Sequence, residues 1–196
     1  PKVPNDVGGI FINRNIVFLD KVIKFGGCYR RKTMRIVRPE KAICEERLMD
    51  EHLLVEGQKI KFRGCINDYS LKPLSFWIDK HNWYASKEAI EMLKLNSKIS
   101  SFKKGVKKNK VPWIVFLKNN FYFYLPSFSR PLLYFIYRYI LRGGFLDGQR
   151  GFVFHFMQSF WYRNLVDAKI LEVKIFSKKN KKSLKYTSKK LFNIRF

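Results

Sequence analysis

Five of the chain's 15 acidic residues, Glu45, Glu46, Asp50, Glu51 and Glu56, fall within the stretch "EERLMDEHLLVEG", with His52 among them. The rest of the chain is strongly basic, with 40 Lys and Arg overall. Carboxylates gathered against such a background have two readings. One is a solvated acidic turn, a common use of these residues. The other is a site that needs carboxylates, where one takes the proton from an attacking hydroxyl. A second group, Trp77, Lys80, His81, Asn82 and Tyr84, lies in "FWIDKHNWYA". At helical spacing Trp77, Lys80, His81 and Tyr84 share a face. An aromatic surface with amide and cationic neighbours suits sugars and phosphates, by stacking and by hydrogen bonds. Core aromatics packed with a satisfied histidine would have the same pattern. A third group, Arg30, Arg31 and Lys32, follows the Gly26-Gly27 turn in "GGCYRRK" and can contact phosphate or form a solvated basic face. Asn67-Asp68, taken alone, reads as a turn-forming pair.

The elements that must position these groups can be read from local patterning. From Gly8 to about Ser70, short mixed runs such as "GIFINRNIVFL", "KTMRIVR" and "QKIKFRG" are divided by Gly26-Gly27, Pro39 and Gly57. Such runs predict strands and turns. From Leu71 to Leu95 the apolar residues Leu74, Ile78, Ala85, Ala89, Met92 and Leu93 recur at helical spacing, with Pro73 placed for a first turn. Cys28, Cys44 and Cys65 are odd in number and lack CxxC spacing, which argues against a zinc site and against a disulfide framework. The opening "PKVPNDVGG" has no basic-then-apolar leader, and a start at Pro1 leads to the expectation that the sequence is cut from something longer.

The remainder differs in kind. Met92 to Phe145 holds eleven Lys and Arg and no Asp or Glu, interleaved with "VPWIVFL", "NNFYFYLPSF" and "RPLLYFIYRYILRGGF". A formal charge of +25 calls for an anionic partner. None of the apolar runs reaches the roughly 18 to 20 uncharged residues of a bilayer span. Short aromatic helices flanked by cations are suited to lying in the membrane interface, with "RGGFLDGQRG" as a tight turn between two of them. Nucleic acid is the competing anion. Dense apolar helices, the acidic cluster and the absence of a helix-turn-helix, zinc-finger or RNP-like motif argue against it. A non-catalytic, basic membrane-surface protein is the other alternative.

Three stretches, "FLDKVIKFGGCYRRKTMRIVR", "ERLMDEHLLVEG" and "FWIDKHNWYASKEA", resemble in order and spacing the C-terminal half of bacterial family 2 glycosyltransferases. The group is the one that builds lipopolysaccharide core, capsule and exopolysaccharide. "SRPLLYFIYRYILRGGFLDGQRGFVFHFMQSFW" resembles the tail of the same group, and the likeness covers about Gly8 to Glu172. The resemblance implies a fold class of α/β, an α+β remnant of a GT-A domain, followed by amphipathic interfacial helices. The corresponding divisions are 1–95, the acceptor-side part; 96–176, the aromatic and basic interfacial region; and 177–196, a basic tail. It further implies transfer of a sugar from a nucleotide sugar, UDP-linked, to a lipid-linked or lipopolysaccharide acceptor at the cytoplasmic face of the bacterial inner membrane. A divalent metal, Mg or Mn, would assist.

By the same resemblance "MDEH" falls where the family places its catalytic carboxylate, so that Asp50 or Glu51 is the base. His52 orients that carboxylate or contacts phosphate. Arg30, Lys32, Trp77, Lys80, His81 and Asn82 are the substrate- and phosphate-binding candidates. Asp68 stands where related enzymes have a histidine that reaches the metal, and an Asp oxygen can ligate a hard cation. The donor-binding half with its Asp-x-Asp motif has no counterpart in this sequence, so the chain by itself is expected to be inactive.

Overall fold

The computed structural model describes residues 3–45, 48, 53–102, 126 and 128–194. They form a mixed α/β structure with two compact units, Pro1–Trp77 with Ile136–His155, and Ile78–Phe135 with Phe156–Phe196. The strand-and-turn zone contains six strands among the described residues: β1 (Val7–Phe18), β2 (Lys21–Val22), β3 (Arg31–Val37), β4 (Ala42–Cys44), β5 (Leu53–Val55) and β6 (Gln58–Tyr69).

The long strand β1 organises the first unit. Its run of Ile, Phe and Val suits a pleated surface with covered neighbours. One edge pairs antiparallel with β3, from Gly9 opposite Val37 to Arg14 opposite Arg31, and then with β2 at Val17 and Phe18. The other edge pairs in parallel with β6, from Val7 opposite Gln58 to Val17 opposite Tyr69. A strand has only two edges, so β2 and β3 occupy successive lengths of the same one. A separate ribbon pairs β4 with β5, Cys44 opposite Leu53. Phe18, Ile23, Cys28 and Phe154 form the apolar centre of this unit, with Ile16 and Val153 against it.

After β6 the chain enters α1 (Leu74–Phe102), the helix the apolar spacing predicts. Pro73 stands one residue before it, where its missing N–H costs nothing, and its carbonyl accepts the first helical bond from Trp77 N–H at 3.2 Å. Next among the described helices is α2 (Ser129–Ile136), with Pro131 in its first turn. A π-turn, Tyr137–Leu141, continues it to Gly143, whose φ of +68° closes the helix. "GGFLDGQRG" is indeed a tight turn: a 3₁₀ turn, Gly144–Asp147, leads directly into α3 (Gly148–His155). A second π-turn, Phe156–Trp161, precedes α4 (Tyr162–Asn180) and α5 (Leu184–Phe192), the latter capped by Ser183.

The second unit is helical. Ala85 and Ala89 of α1 are small enough to let Tyr162 and Val166 of α4 pack directly on them, with Tyr84, Met92, Trp161, Leu165 and Ile170 around. Polar pairs fix the register: the Tyr162 hydroxyl donates to Glu88 at 2.6 Å, Arg163 pairs with the same carboxylate, and Lys169 donates to Ser86 at 2.9 Å. Among the described residues no helix is long and apolar enough to cross a membrane.

Candidate functional site

The parallel strands β1 and β6 end side by side, at Phe18 and Tyr69. Beyond parallel strand ends the chain must turn away, and the space left is where open α/β sheets take ligands. Here it is a crevice of about 310 Å³. Its walls come from the end of β1 (Val17 and Phe18), the turn Leu19-Asp20, the connection Tyr69–Pro73 and the first turn of α1 with Trp77. Leu19 and Asp20 both have positive φ, +46° and +61°, an uncommon conformation for residues with a Cβ. The Trp77 indole is fixed edge-to-face on Phe18, with centroids 6.2 Å apart. Asp20 and Tyr69 are exposed at the mouth. The crevice therefore offers a carboxylate acceptor, a phenol hydroxyl and an anchored indole, a set able to hold a polyol by hydrogen bonds and C–H stacking.

The structure distributes the residues named from the sequence. Asp50, Glu51 and His52 lie outside the described residues; the strands on either side, β4 and β5, pair with each other. Trp77 is in the crevice. Lys80, His81 and Asn82 follow it on α1, in the second unit. His81 is half-buried, edge-on to Tyr84 and Tyr162 at 5.8 and 5.6 Å. Lys80 lies over the Tyr84 ring at 5.5 Å, and Asn82 is exposed. Arg30 and Lys32 are exposed; Arg30 has φ +49° and its N–H donates to Asn15 Oδ1 at 3.3 Å. Asn67-Asp68 is not a turn. Both residues belong to β6, where the ladder opposite Asn15 and Ile16 outweighs their turn preference.

The Asp68 carboxylate pairs with Arg14 at 3.5 Å and is half exposed. Among the described residues no three His, Cys, Asp or Glu side chains converge as a metal site would need.

What sequence reasoning missed is a buried polar cluster in the first unit. Arg138, on the π-turn, is buried; its Nε–H donates to the Gly26 carbonyl at 3.0 Å and its Nη2 to the Cys28 sulfur. Asp147 is buried too, and its carboxylate accepts the N–H groups of Lys24, at 3.1 Å, and Phe25, at 2.9 Å. The Gly26 N–H donates to the Arg142 carbonyl at 3.0 Å. His155 is fully buried between Gly26 and Gly144, and among the described residues neither ring nitrogen has a hydrogen-bond partner. The available signal was the arginine, Asp and His inside otherwise apolar helical runs, since buried polar groups tend to be paired and specific.

Burial pushes the Cys28 thiol up, opposed in part by the Arg138 charge, so burial favours the neutral thiol. Burial, and then the Arg138 charge, lowers His155 to about 4. Its unfolded value is near 6.5, so the unfolded chain binds the extra proton first as pH falls. His155 therefore contributes stability that is fully present above about 6.5 and lost as pH falls through about 4. The full loss is roughly 3 kcal/mol. Urea midpoints followed at pH 7.5, 6 and 4.5 check this. The slope is expected to flatten in His155→Gln, and an unchanged slope would remove the assignment.

No protein-family model matches the chain, and no curated protein or solved structure is significantly similar to it.

Proposed function

We propose that the chain is the acceptor-side half of a family 2 glycosyltransferase that transfers a sugar from a nucleotide sugar to a lipid-linked or lipopolysaccharide acceptor at the cytoplasmic face of the bacterial inner membrane. The reading rests on the motif resemblance. The observation that carries it is that Trp77, from one resembling stretch, and Phe18, Leu19 and Asp20, from another, line one crevice at the ends of parallel strands. In this reading the crevice holds the acceptor sugar. Trp77 stacks on its C–H face, and Asp20 and Tyr69 take its peripheral hydroxyls.

The transfer is inverting. The acceptor oxygen bonds to the anomeric carbon, and the bond from that carbon to the diphosphate breaks. The departing nucleoside diphosphate keeps the electron pair. The hydroxyl proton passes to Asp50 or Glu51. Arg30 and Lys32, with His52, Lys80, His81 and Asn82, are the proposed partners of phosphate and sugar oxygens. The main ligands of the divalent cation that the resemblance implies belong to the donor half, and the proposal assigns this chain the acceptor side and the proton transfer.

The test is UDP-sugar-dependent transfer by this chain joined to an upstream nucleotide-binding half. Asp50→Asn or Glu51→Gln is expected to lower transfer at least about a hundredfold. Trp77→Ala and Asp20→Asn are expected to raise the KM for acceptor about tenfold with kcat little changed. Full transfer by both carboxylate variants would discard the base, and an unmoved KM would discard the crevice.

A further inference from the structure

The aromatic, basic zone leaves a question that the transfer chemistry does not absorb: what covers the apolar residues around the Gly143 turn. Leu141 is 72% exposed, Leu146 57%, Ile140 54% and Phe145 49%. These are large apolar side chains within seven consecutive positions, far more than scattered surface hydrophobics would place together. They form one patch. The turn is closed by Gly143 N–H to the Ile140 carbonyl at 3.0 Å and Leu146 N–H to the Gly143 carbonyl at 2.9 Å. Phe25 and Leu146 both flank Gly143. The Tyr139 ring meets Phe145 and Phe152, with centroids 6.4 and 5.5 Å away.

The patch is held from beneath. Arg138 and Asp147, one on either side of the turn, are tied to the Lys24–Cys28 backbone and sulfur by the bonds above. Exposed apolar residues on a rigid base are pre-organised for insertion, because little further ordering is needed on binding.

Charge selects the occupant. The exposed charged residues between Ile136 and His155 are Arg142 and Arg150, both cations, and the only Asp or Glu there, Asp147, is buried. Lys21 reaches the turn, donating to the Asp147 carbonyl at 2.6 Å, and Lys24 is exposed beside it; Asp20, next to Lys21 in sequence, is an exposed acid. Two copies of a chain with net charge +25 would repel across such a surface. The three most exposed of these side chains, Leu141, Leu146 and Ile140, are aliphatic and offer no flat face for a nucleobase, whereas acyl chains accept them together with the less exposed Phe25, Phe145 and Phe152, and anionic headgroups accept the cations around them.

We propose that the rim Phe25, Ile140, Leu141, Phe145, Leu146 and Phe152 is a membrane-insertion site for an anionic bilayer, with Leu141 and Leu146 at its tip and Arg142, Lys21, Lys24 and Arg150 on the headgroups. This deepens the membrane-surface part of the proposed function. It is independent of the transfer chemistry, since vesicle binding is measured without donor or acceptor sugar.

The test is partition of the full chain onto phosphatidylcholine vesicles with and without one-quarter phosphatidylglycerol, at low salt. Binding is expected to the anionic vesicles and to fall on adding salt. Leu141→Ser/Leu146→Ser is expected to lower partition at least about tenfold, while Ile43→Ser, an exposed apolar residue on β4, leaves it unchanged. Leu141→Trp, which keeps the apolar surface, is expected to add blue-shifted emission on binding, quenched by brominated acyl chains. Vesicle binding equally reduced by Ile43→Ser, or added emission from Leu141→Trp that is insensitive to the bromolipid, would overturn the site. So would self-association or single-stranded DNA binding that the double Ser variant abolishes while vesicle binding persists.

Discussion

Gly26→Ala is expected to cost about 4 kcal/mol, a large part of the 5–15 kcal/mol by which domains are stable. Two effects add. The backbone at Gly26 has φ +67°, which an alanine occupies at a cost of about 1–2 kcal/mol. A Cβ there would also lie 2.5 Å from His155 Nε2 and nearer still to Cε1. The imidazole cannot retreat. On its other side a Cβ on Gly144 would already be 2.6 Å from Cδ2, so the two glycines grip the ring. Overpacking of this kind costs about 1–3 kcal/mol when neighbours can shift and more when they cannot. Urea unfolding measures the loss. The mechanism is checked by Gly26→Ala/His155→Ala, which shaves the ring that the new methyl meets. The double variant is expected to be more stable than the sum of the single changes by about 2 kcal/mol. Strict additivity would leave backbone strain as the whole effect.

The second large effect is at Asp147. Asp147→Ala strips the acceptor from two backbone N–H groups, those of Lys24 and Phe25, and leaves the Arg138 charge without its nearby buried carboxylate. Each of these part-buried N–H groups left without its acceptor costs about 1 kcal/mol or more. Loss of a buried counter-charge adds to this, for a total of about 4 kcal/mol. Asp147→Asn keeps one acceptor oxygen and is expected to cost about half as much. Equal losses for the two variants would show that charge, not the count of acceptors, holds the Lys24–Phe25 backbone to the turn. Surface rearrangement alone would leave both near wild type.

Much of the local structure was legible because the signals are local. Alternating and β-branched runs punctuated by Gly and Pro predicted the strands up to Ser70, and apolar residues at helical spacing predicted α1. The strand identity of Asn67-Asp68 was not legible. Its cause is the partner strand, β1, which lies some fifty residues away in sequence. Trp77 was singled out for its type, yet its neighbours in the crevice were not, because Asp20 and Trp77 meet only after β1 and β6 align in parallel. Asp50, Glu51 and His52 stand as motif-based assignments, outside the described residues.

Composition and spacing by themselves determined the basic charge, the helical and extended segments and the Gly143–Gly148 turn. Only the tertiary structure decided that the aromatic zone is divided, its segment Ile136–His155 packing with the strands of the first unit. It also decided that Arg138, Asp147 and His155 serve the Gly26 turn. The physical reason is distance along the chain. Arg138 meets Cys28 across 110 residues and Asp147 meets Phe25 across 122, whereas local propensity registers neighbours three or four positions apart. Burial then made that meeting specific, because a guanidinium and a carboxylate taken out of water must find the backbone groups that satisfy them.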